Sequence, residues 1–334
     1  MKKIPAISRP LPWHGEIWAR LGRQLDQGRL SHAFLLSGRR YTGKSCLALA
    51  LARLLLCHQP VGGLNCGRCR ACEFSAAGSH GDFLWLAPQE KSRVIKVDQV
   101  REVIDLVSKT AGFGQRRVVV LNPAEAMNTS SANALLKSLE EPAADTHLLL
   151  LTQRLHGLPA TIRSRCQIVK LPVPDRQQGL AWLEQMTGEQ RQSEQMLDLA
   201  GGLPMLAAQL GGEGAEQAVA RRRALLGLFA GECMVSEVAD LLAELSAEEF
   251  LDMLESAMQE ALRSVDRRGL MSGAARDAFT LLDQLSSLRK SVHNGANPNR
   301  PLLAESLLVR AQRLLGRAPL GDNIRRKTGA ISHD

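Results

Sequence analysis

Residues Gly38–Ser45 read GRRYTGKS and fit G-x-x-x-x-G-K-S with no mismatch; no other stretch restricts the fold of this chain as tightly. Before it, Ala33-Phe34-Leu35-Leu36-Ser37 is apolar enough for a buried strand, and after it Cys46 to Leu56 is rich in Leu and Ala and reads as a helix. A strand, a Gly-rich turn and a helix in that order form a phosphate cradle. The glycines let backbone N–H groups curl around anionic oxygens, and the new helix aims its positive end at them. Lys44 belongs between the β- and γ-phosphates and the Ser45 hydroxyl on Mg²⁺. The motif therefore predicts ATP or ADP with Mg²⁺ held by Gly38, Thr42, Gly43, Lys44 and Ser45.

The helix after the loop runs into a second pattern. Cys57, Cys66, Cys69 and Cys72 are spaced C-x8-C-x2-C-x2-C, four thiols within sixteen residues. Each C-x2-C turn lets two sulfurs face one point, and four soft ligands suit tetrahedral Zn²⁺. With every position a thiolate there is no open site for water, so this metal is structural and staples a small module to the end of the helix. Redox chemistry and accidental clustering are the competing readings. Arg68 and Arg70 flank the cysteines as solvated charges or as a nucleic-acid or subunit contact.

Asp82–Leu86 reads as a strand, and Asp98 as the N-cap of a helix running to about Thr110 with Val100, Val103, Ile104 and Val107 inward. Arg117–Leu121 is a continuous apolar run and reads as a buried strand. Hydrolytic loops of this kind follow such a strand with acidic residues that hold Mg²⁺ and polarise water. Here Asn122-Pro123-Ala124-Glu125 follows, with an uncharged amide, a proline, and a carboxylate two residues late that is expected to point elsewhere. The sequence predicts that the chain does not hydrolyse nucleotide.

Ser130–Glu141 is an amphipathic helix stopped by Pro142, and His147–Leu151 and Gln167–Leu171 are further strands. Strands alternating with helices predict an α/β P-loop domain with a parallel sheet and the nucleotide at its C-terminal edge. That domain, with the thiolate module at 57–72, takes residues 1–172. Residues 173–212 form a small helical unit containing the Gly201-Gly202-Leu203-Pro204 break. Residues 213–316 are almost wholly helical, with Leu-rich faces that predict an all-α bundle. Arg221-Arg222-Arg223 is expected on a solvated face, and the tail 317–334, with Arg325-Arg326-Lys327, is expected to be disordered.

Composition narrows the partners. The formal net charge of +8 is compatible with nucleic acid or an acidic protein, while an aromatic content of 4% leaves few base-stacking platforms. The N-terminus MKKIPAISRPLPWHGE lacks the apolar core of a signal peptide, and no apolar run is long enough to span a bilayer. These features predict a cytoplasmic chain without membrane contact, whose thiols stay reduced.

The P-loop, the four-cysteine insertion straight after its helix, Ala132-Asn133-Ala134-Leu135-Leu136-Lys137-Ser138-Leu139-Glu140-Glu141-Pro142 and then Ser164-Arg165-Cys166 together resemble the clamp-loader branch of AAA+ proteins. Within it the chain is most similar to the delta prime family of bacterial DNA polymerase III subunits, over its whole length and including Asn297–Leu303. The resemblance implies a RecA-like ATPase domain, a lid and a helical collar that joins a five-membered ring. It implies gamma or tau motor subunits and a delta subunit as partners, and through them the beta sliding clamp and primed DNA. It places the family's arginine finger on Arg165, which would act in trans on a neighbour's ATP, and the family's γ-phosphate sensor on Thr152.

Two departures bear on the role. Motor subunits of the family carry an acidic pair where this chain has Asn122-Pro123, and an Arg at the start of a lid helix where it has Pro204. Proline has no N–H to donate and cannot reach a γ-phosphate. The resemblance thus implies a non-hydrolysing stator. The alternatives are an active gamma- or tau-type ATPase that tolerates Asn122, and a zinc-dependent DNA-binding protein with a vestigial nucleotide fold. For Arg165 itself the alternative is an intramolecular salt bridge.

Overall fold

The computed structural model describes residues 5–89, 92, 94–108, 111–113, 116–209, 215–293, 296–316 and 320. It divides into two compact units, Met1–Leu197 with Gly202–Leu206, and Asp198–Gly201 with Ala207–Asp334.

In the first unit a short 3₁₀ turn precedes α1 (Gly15–Asp26), β1 (Ala33–Ser37), α2 (Lys44–Leu56), α3 (Arg70–Ala77), β2 (Phe83–Leu86), α4 (Val97–Ser108), β3 (Arg117–Leu121), α5 (Thr129–Glu140), β4 (Thr146–Thr152), α6 (Ala160–Arg163) and β5 (Gln167–Lys170). Helices α7 (Arg176–Thr187), α8 (Gln190–Leu199) and α9 (Pro204–Ala207) follow. The strands form one sheet in the order β2-β3-β4-β1-β5, every pair parallel. Non-adjacent strands become neighbours because each crossover carries a helix back over one face.

The buried strands separate two cores by simple alternation. Phe34 and Leu36 of β1, Val118 and Val120 of β3, and Leu149 and Leu151 of β4 pack against Leu47, Leu51 and Leu55 of α2. Ala33, Leu35, Val119, Leu121, Leu148 and Leu150 pack on the other side against Val100 and Val103 of α4 and Leu135 and Leu139 of α5. Covered on both faces, β1, β3 and β4 have every residue buried, which explains their unbroken apolar runs.

Helix α4 starts at Val97, so Asp98 lies in its first turn rather than at its cap, and Thr110 falls outside the described residues. For α5 the cap is Asn128, whose side chain accepts from Ser131 N. Helix α3, which the cysteine pattern did not announce, begins directly after Cys69 and ends at Gly78 in the left-handed conformation.

The second unit is a bundle of α10 (Ala215–Ala230), α11 (Val235–Leu241), α12 (Ala247–Arg263), α13 (Arg267–Leu270), α14 (Gly273–His293) and α15 (Arg300–Leu315). Phe229, Phe250, Leu254, Met258, Leu281, Leu285 and Leu308 belong to its core. The Asn297–Leu303 segment acts locally. Asn299 caps α15, and Arg300 lies over the Phe250 ring while donating to the carbonyls of Leu245 and Leu242. Arg221 and Arg222 are not simply solvated. Arg221 pairs with Glu244 at 3.1 Å, and Arg222 pairs with Glu260 and donates to Asp198 O. The 317–334 tail lies outside the described residues apart from Leu320.

Candidate functional site

Strand β1 delivers Gly38 to the C-terminal edge of the sheet, and α2 opens at Lys44. Gly43 turns the chain between them at φ 85°, a left-handed value that suits glycine. It has a second constraint: a Cβ there would sit 2.3 Å from Leu11 Cδ1, 2.9 Å from His14 Cε1 and 3.3 Å from Met205 Sδ. Trp13 Nε1 donates to Thr42 O at 3.0 Å, and His14 Nε2 lies 2.8 Å from the same carbonyl. The segment before α1 therefore braces the loop, a role with no local sequence signal.

Lys44 Nζ donates to Gly38 O at 2.7 Å and Arg39 O at 2.6 Å, so the ammonium lies inside the turn of the loop. Burial pushes its pKa down to about 8, against the attraction of Glu125 and with the help of Arg40. Gly38 N donates to Thr152 O across the β1–β4 pair, which sets the end of β4 beside the loop. The buried Thr152 hydroxyl donates to Arg154 O at 2.9 Å and accepts from Arg154 N at 3.0 Å, closing the turn after the strand.

The end of β3 lies at the same edge. Asn122 Nδ2 is 3.4 Å from Ser45 Oγ, so an uncharged amide stands beside the hydroxyl expected to hold Mg²⁺. Glu125 does not point away as its spacing suggested. Its Oε1 accepts from Gln153 N at 2.9 Å, and its charge is felt at Lys44. The short helical turn Ala124–Ala126 after Pro123 brings the carboxylate back to the sheet edge, which counting along an extended strand does not anticipate. In the same unit, Pro204 at the start of α9 packs near Gly179 of α7, and Met205 follows it to the loop.

The four thiols of the second motif converge. Cys57 caps the C-terminus of α2, Cys69 the N-terminus of α3, and Cys72 lies in the first turn of α3. All four Sγ atoms lie within 4.8 Å of one another, with Cys57 to Cys69 at 3.9 Å and Cys66 to Cys72 at 4.0 Å. Sulfurs bound tetrahedrally to zinc at ~2.3 Å stand about 3.8 Å apart, whereas a disulfide needs about 2 Å. The donor set fits zinc. Backbone N–H groups already serve these sulfurs: Cys66 N donates to Cys57 Sγ at 3.2 Å, and the N–H of Arg68 leads the groups that lower the Cys66 thiol to about 6.

Arg165 stands between α6 and the edge strand β5. Cys166 behind it is buried in the sheet core, where burial pushes its thiol up to about 12, and Ser164 Oγ donates to Thr161 O. The motif is therefore an anchored turn that leaves its middle residue outward. Arg165 Nη2 pairs with Glu140 Oε1 at 2.5 Å and Nη1 donates to Thr161 O at 2.9 Å. The intramolecular salt bridge weighed against a finger is thus present. Its side chains are 34% and 47% exposed, a setting in which ion pairs contribute little.

The residues matched by the family model described as DNA polymerase III, delta subunit, are 13–175. The chain is 38% identical over 325 residues to DNA polymerase III subunit delta' of Pseudomonas aeruginosa, covering 91% of this chain and 98% of that one. It is 33% identical over 322 residues to the Escherichia coli K12 protein of the same name, covering 91% and 96%. Among solved structures, a DNA polymerase III gamma subunit-related protein from Thermotoga maritima superposes with a TM-score of 0.52 at 19% identity, covering 89% of this chain and 98% of that one. That likeness shows that the two chains share a fold.

Proposed function

The chain belongs to the delta prime family of DNA polymerase III subunits, and from that membership we propose that it serves a clamp loader as a stator: it binds nucleotide without cutting it and lends Arg165 to the ATP of a neighbouring motor subunit. The assembly is a five-membered ring with gamma or tau motors and a delta subunit, acting on the beta sliding clamp and primed DNA. The division into an ATPase-like domain, a lid and a collar is part of this proposal.

The observation that carries the reading is the uncharged Asn122 amide 3.4 Å from Ser45 Oγ, with Pro123 next to it. Hydrolysis needs a carboxylate to fix the metal and another to orient water. Losing both raises the barrier by an amount on the order of several kcal/mol. Binding needs less. The loop, Lys44 and the start of α2 supply donors and positive potential to phosphates by themselves. When bound, Mg²⁺ would neutralise phosphate charge next to Ser45. Gly38, Thr42, Gly43, Lys44, Ser45 and Thr152 are the proposed nucleotide contacts.

Purified chain is expected to bind ATP or ADP with affinity lost in Lys44→Ala, and to show no turnover above that variant. The binding carries a pH signature. The protonated ammonium is the form that attracts phosphate, and with Lys44 near pKa 8 its charge disappears as pH rises past 8 rather than past the usual 10.5. Affinity should therefore be constant below pH 7 and fall above 8, by at most about tenfold per unit. Calorimetric titration at pH 7 and pH 9 checks this; equal affinities would place the lysine outside the phosphate site.

One observation favours the motor-type alternative. The Glu125 carboxylate lies near enough to Lys44 to stabilise its charge. If Glu125 acts as a displaced water-orienting base, the purified chain hydrolyses ATP and Glu125→Gln stops it. The stator reading expects no difference between that variant and the wild type.

A further inference from the structure

Arg53 is buried with no exposed surface, in the last turns of α2 beneath the four cysteines. Its Nε donates to Ser75 Oγ at 3.1 Å. Nη1 donates to Pro5 O at 2.5 Å and Ser8 Oγ at 2.8 Å. Nη2 donates to Ala6 O at 2.9 Å and Cys72 O at 3.2 Å. The guanidinium is fully hydrogen-bonded, yet every partner is neutral, and among the described residues no carboxylate pairs with it. A buried cation without an anion is costly, and hydrogen bonds to neutral groups offset that cost only partly.

The guanidinium touches the backbone of one ligand, Cys72, and the Cys72 and Cys57 thiols are the negative groups felt at it. Four thiolates around a divalent ion leave a net charge of about −2. Asn65, also buried, forms a second link. Its Nδ2 donates to Cys72 Sγ at 3.4 Å and to Ala6 O at 2.9 Å, and its Oδ1 accepts from Ser8 N at 2.9 Å. Ala6 and Ser8 thus touch both Arg53 and Asn65, and Pro5 touches Arg53. Gly67, between two ligands, is also closed over by this segment: a Cβ there would meet Ile7 Cγ1 at 3.0 Å and Ala6 O at 3.1 Å.

We propose that Arg53 is the internal counter-cation of the metal–thiolate cluster, and that Arg53 and Asn65 together make the seating of residues 5–8 depend on the metal. The proposal rests on the zinc reading of the four cysteines. With the metal in place, the cluster's negative charge balances the guanidinium, whose forks then hold Pro5, Ala6 and Ser8. With the metal removed, nothing holds four thiolates together beside Arg53, the charge that balances the buried guanidinium falls, and the cheapest relief is to release the segment that shields it from water.

Zinc affinity of the full chain, measured by competition with a chromogenic chelator, and amide hydrogen exchange at Ser8 test this. Arg53→Gln should bind zinc about 10- to 100-fold more weakly, as loss of an outer-shell partner typically does. Arg53→Lys, which keeps the charge but not the fork, should recover most of that loss. In the wild-type chain, removing zinc should deprotect the Ser8 amide, and Asn65→Ala should weaken zinc binding in the same direction. Wild-type zinc affinity in Arg53→Gln overturns the counter-cation, and unchanged Ser8 protection after zinc removal overturns the coupling. If Arg53→Gln does not fold, Asn65→Ala and the wild-type exchange decide. Wild-type chain that takes up no zinc overturns the metal reading itself, and this proposal with it.

Discussion

Replacing Arg165 with alanine is expected to slow ATP turnover at the neighbouring motor site of a reconstituted loader by about 10³-fold, while leaving the fold of this chain intact. The size follows from what the guanidinium would do. A cation fixed beside a transferring phosphoryl group strengthens its interaction as charge grows on the equatorial oxygens, so the gain falls on the transition state. The expectation of an intact fold follows from the structure. Arg165 is partly exposed and its one ion pair, with Glu140, is screened by water, so its loss should cost the isolated chain less than about 1 kcal/mol. That exposure also explains how a side chain paired at home could serve elsewhere. A neighbour's triphosphate carries several negative charges in a drier setting and outcompetes one half-solvated carboxylate. Single-turnover hydrolysis should resolve the affected site from the others. Unchanged rates at every site would leave Arg165 as no more than the partner of Glu140.

What could be read along the chain was whatever is encoded over short distances. The phosphate loop, the unbroken apolar strands and the C-x2-C pairs each put their determinants within one turn or one strand, and the structure brings them together as their spacing implies. Contacts between distant segments were not legible. Nothing near Arg53 marks it as lying under the cysteines and against Pro5, because that meeting depends on how residues 5–8 and α3 pack on α2. Glu125 was misread for a related reason. Two residues beyond the end of a strand predicts a direction only if the chain stays extended, and here it coils at Ala124–Ala126. Arg221 and Arg222 looked like surface charges because their partners Glu244 and Glu260 are 23 and 38 residues away.

Loss of the metal is the second large effect expected. Cys69→Ser, or zinc removal by a chelator, should destabilise the first unit by an amount on the order of 4 kcal/mol, about a 10 °C fall in its thermal midpoint. Cys69 suits the test because its side chain is only partly buried, so the loss reports ligation rather than a cavity in the core. The physical reason for a large effect is that residues 57–69 carry few apolar contacts of their own, and Asn65 and Gly67 are their ties to residues 6–8. The segment holds one isolated bridge between Val61 and Leu64, and of those two apolar side chains Val61 is 62% exposed and Leu64 only half-buried. Such a stretch has too little apolar surface to offset its conformational entropy, and the metal supplies the missing free energy by joining both of its ends to α2 and α3. Cys233→Ser in the second unit, outside the cluster, is the matched control and should shift the midpoint by no more than about 2 °C. Equal midpoints for Cys69→Ser and Cys233→Ser, on chain loaded with zinc beforehand, would mean that the four sulfurs are gathered by packing alone.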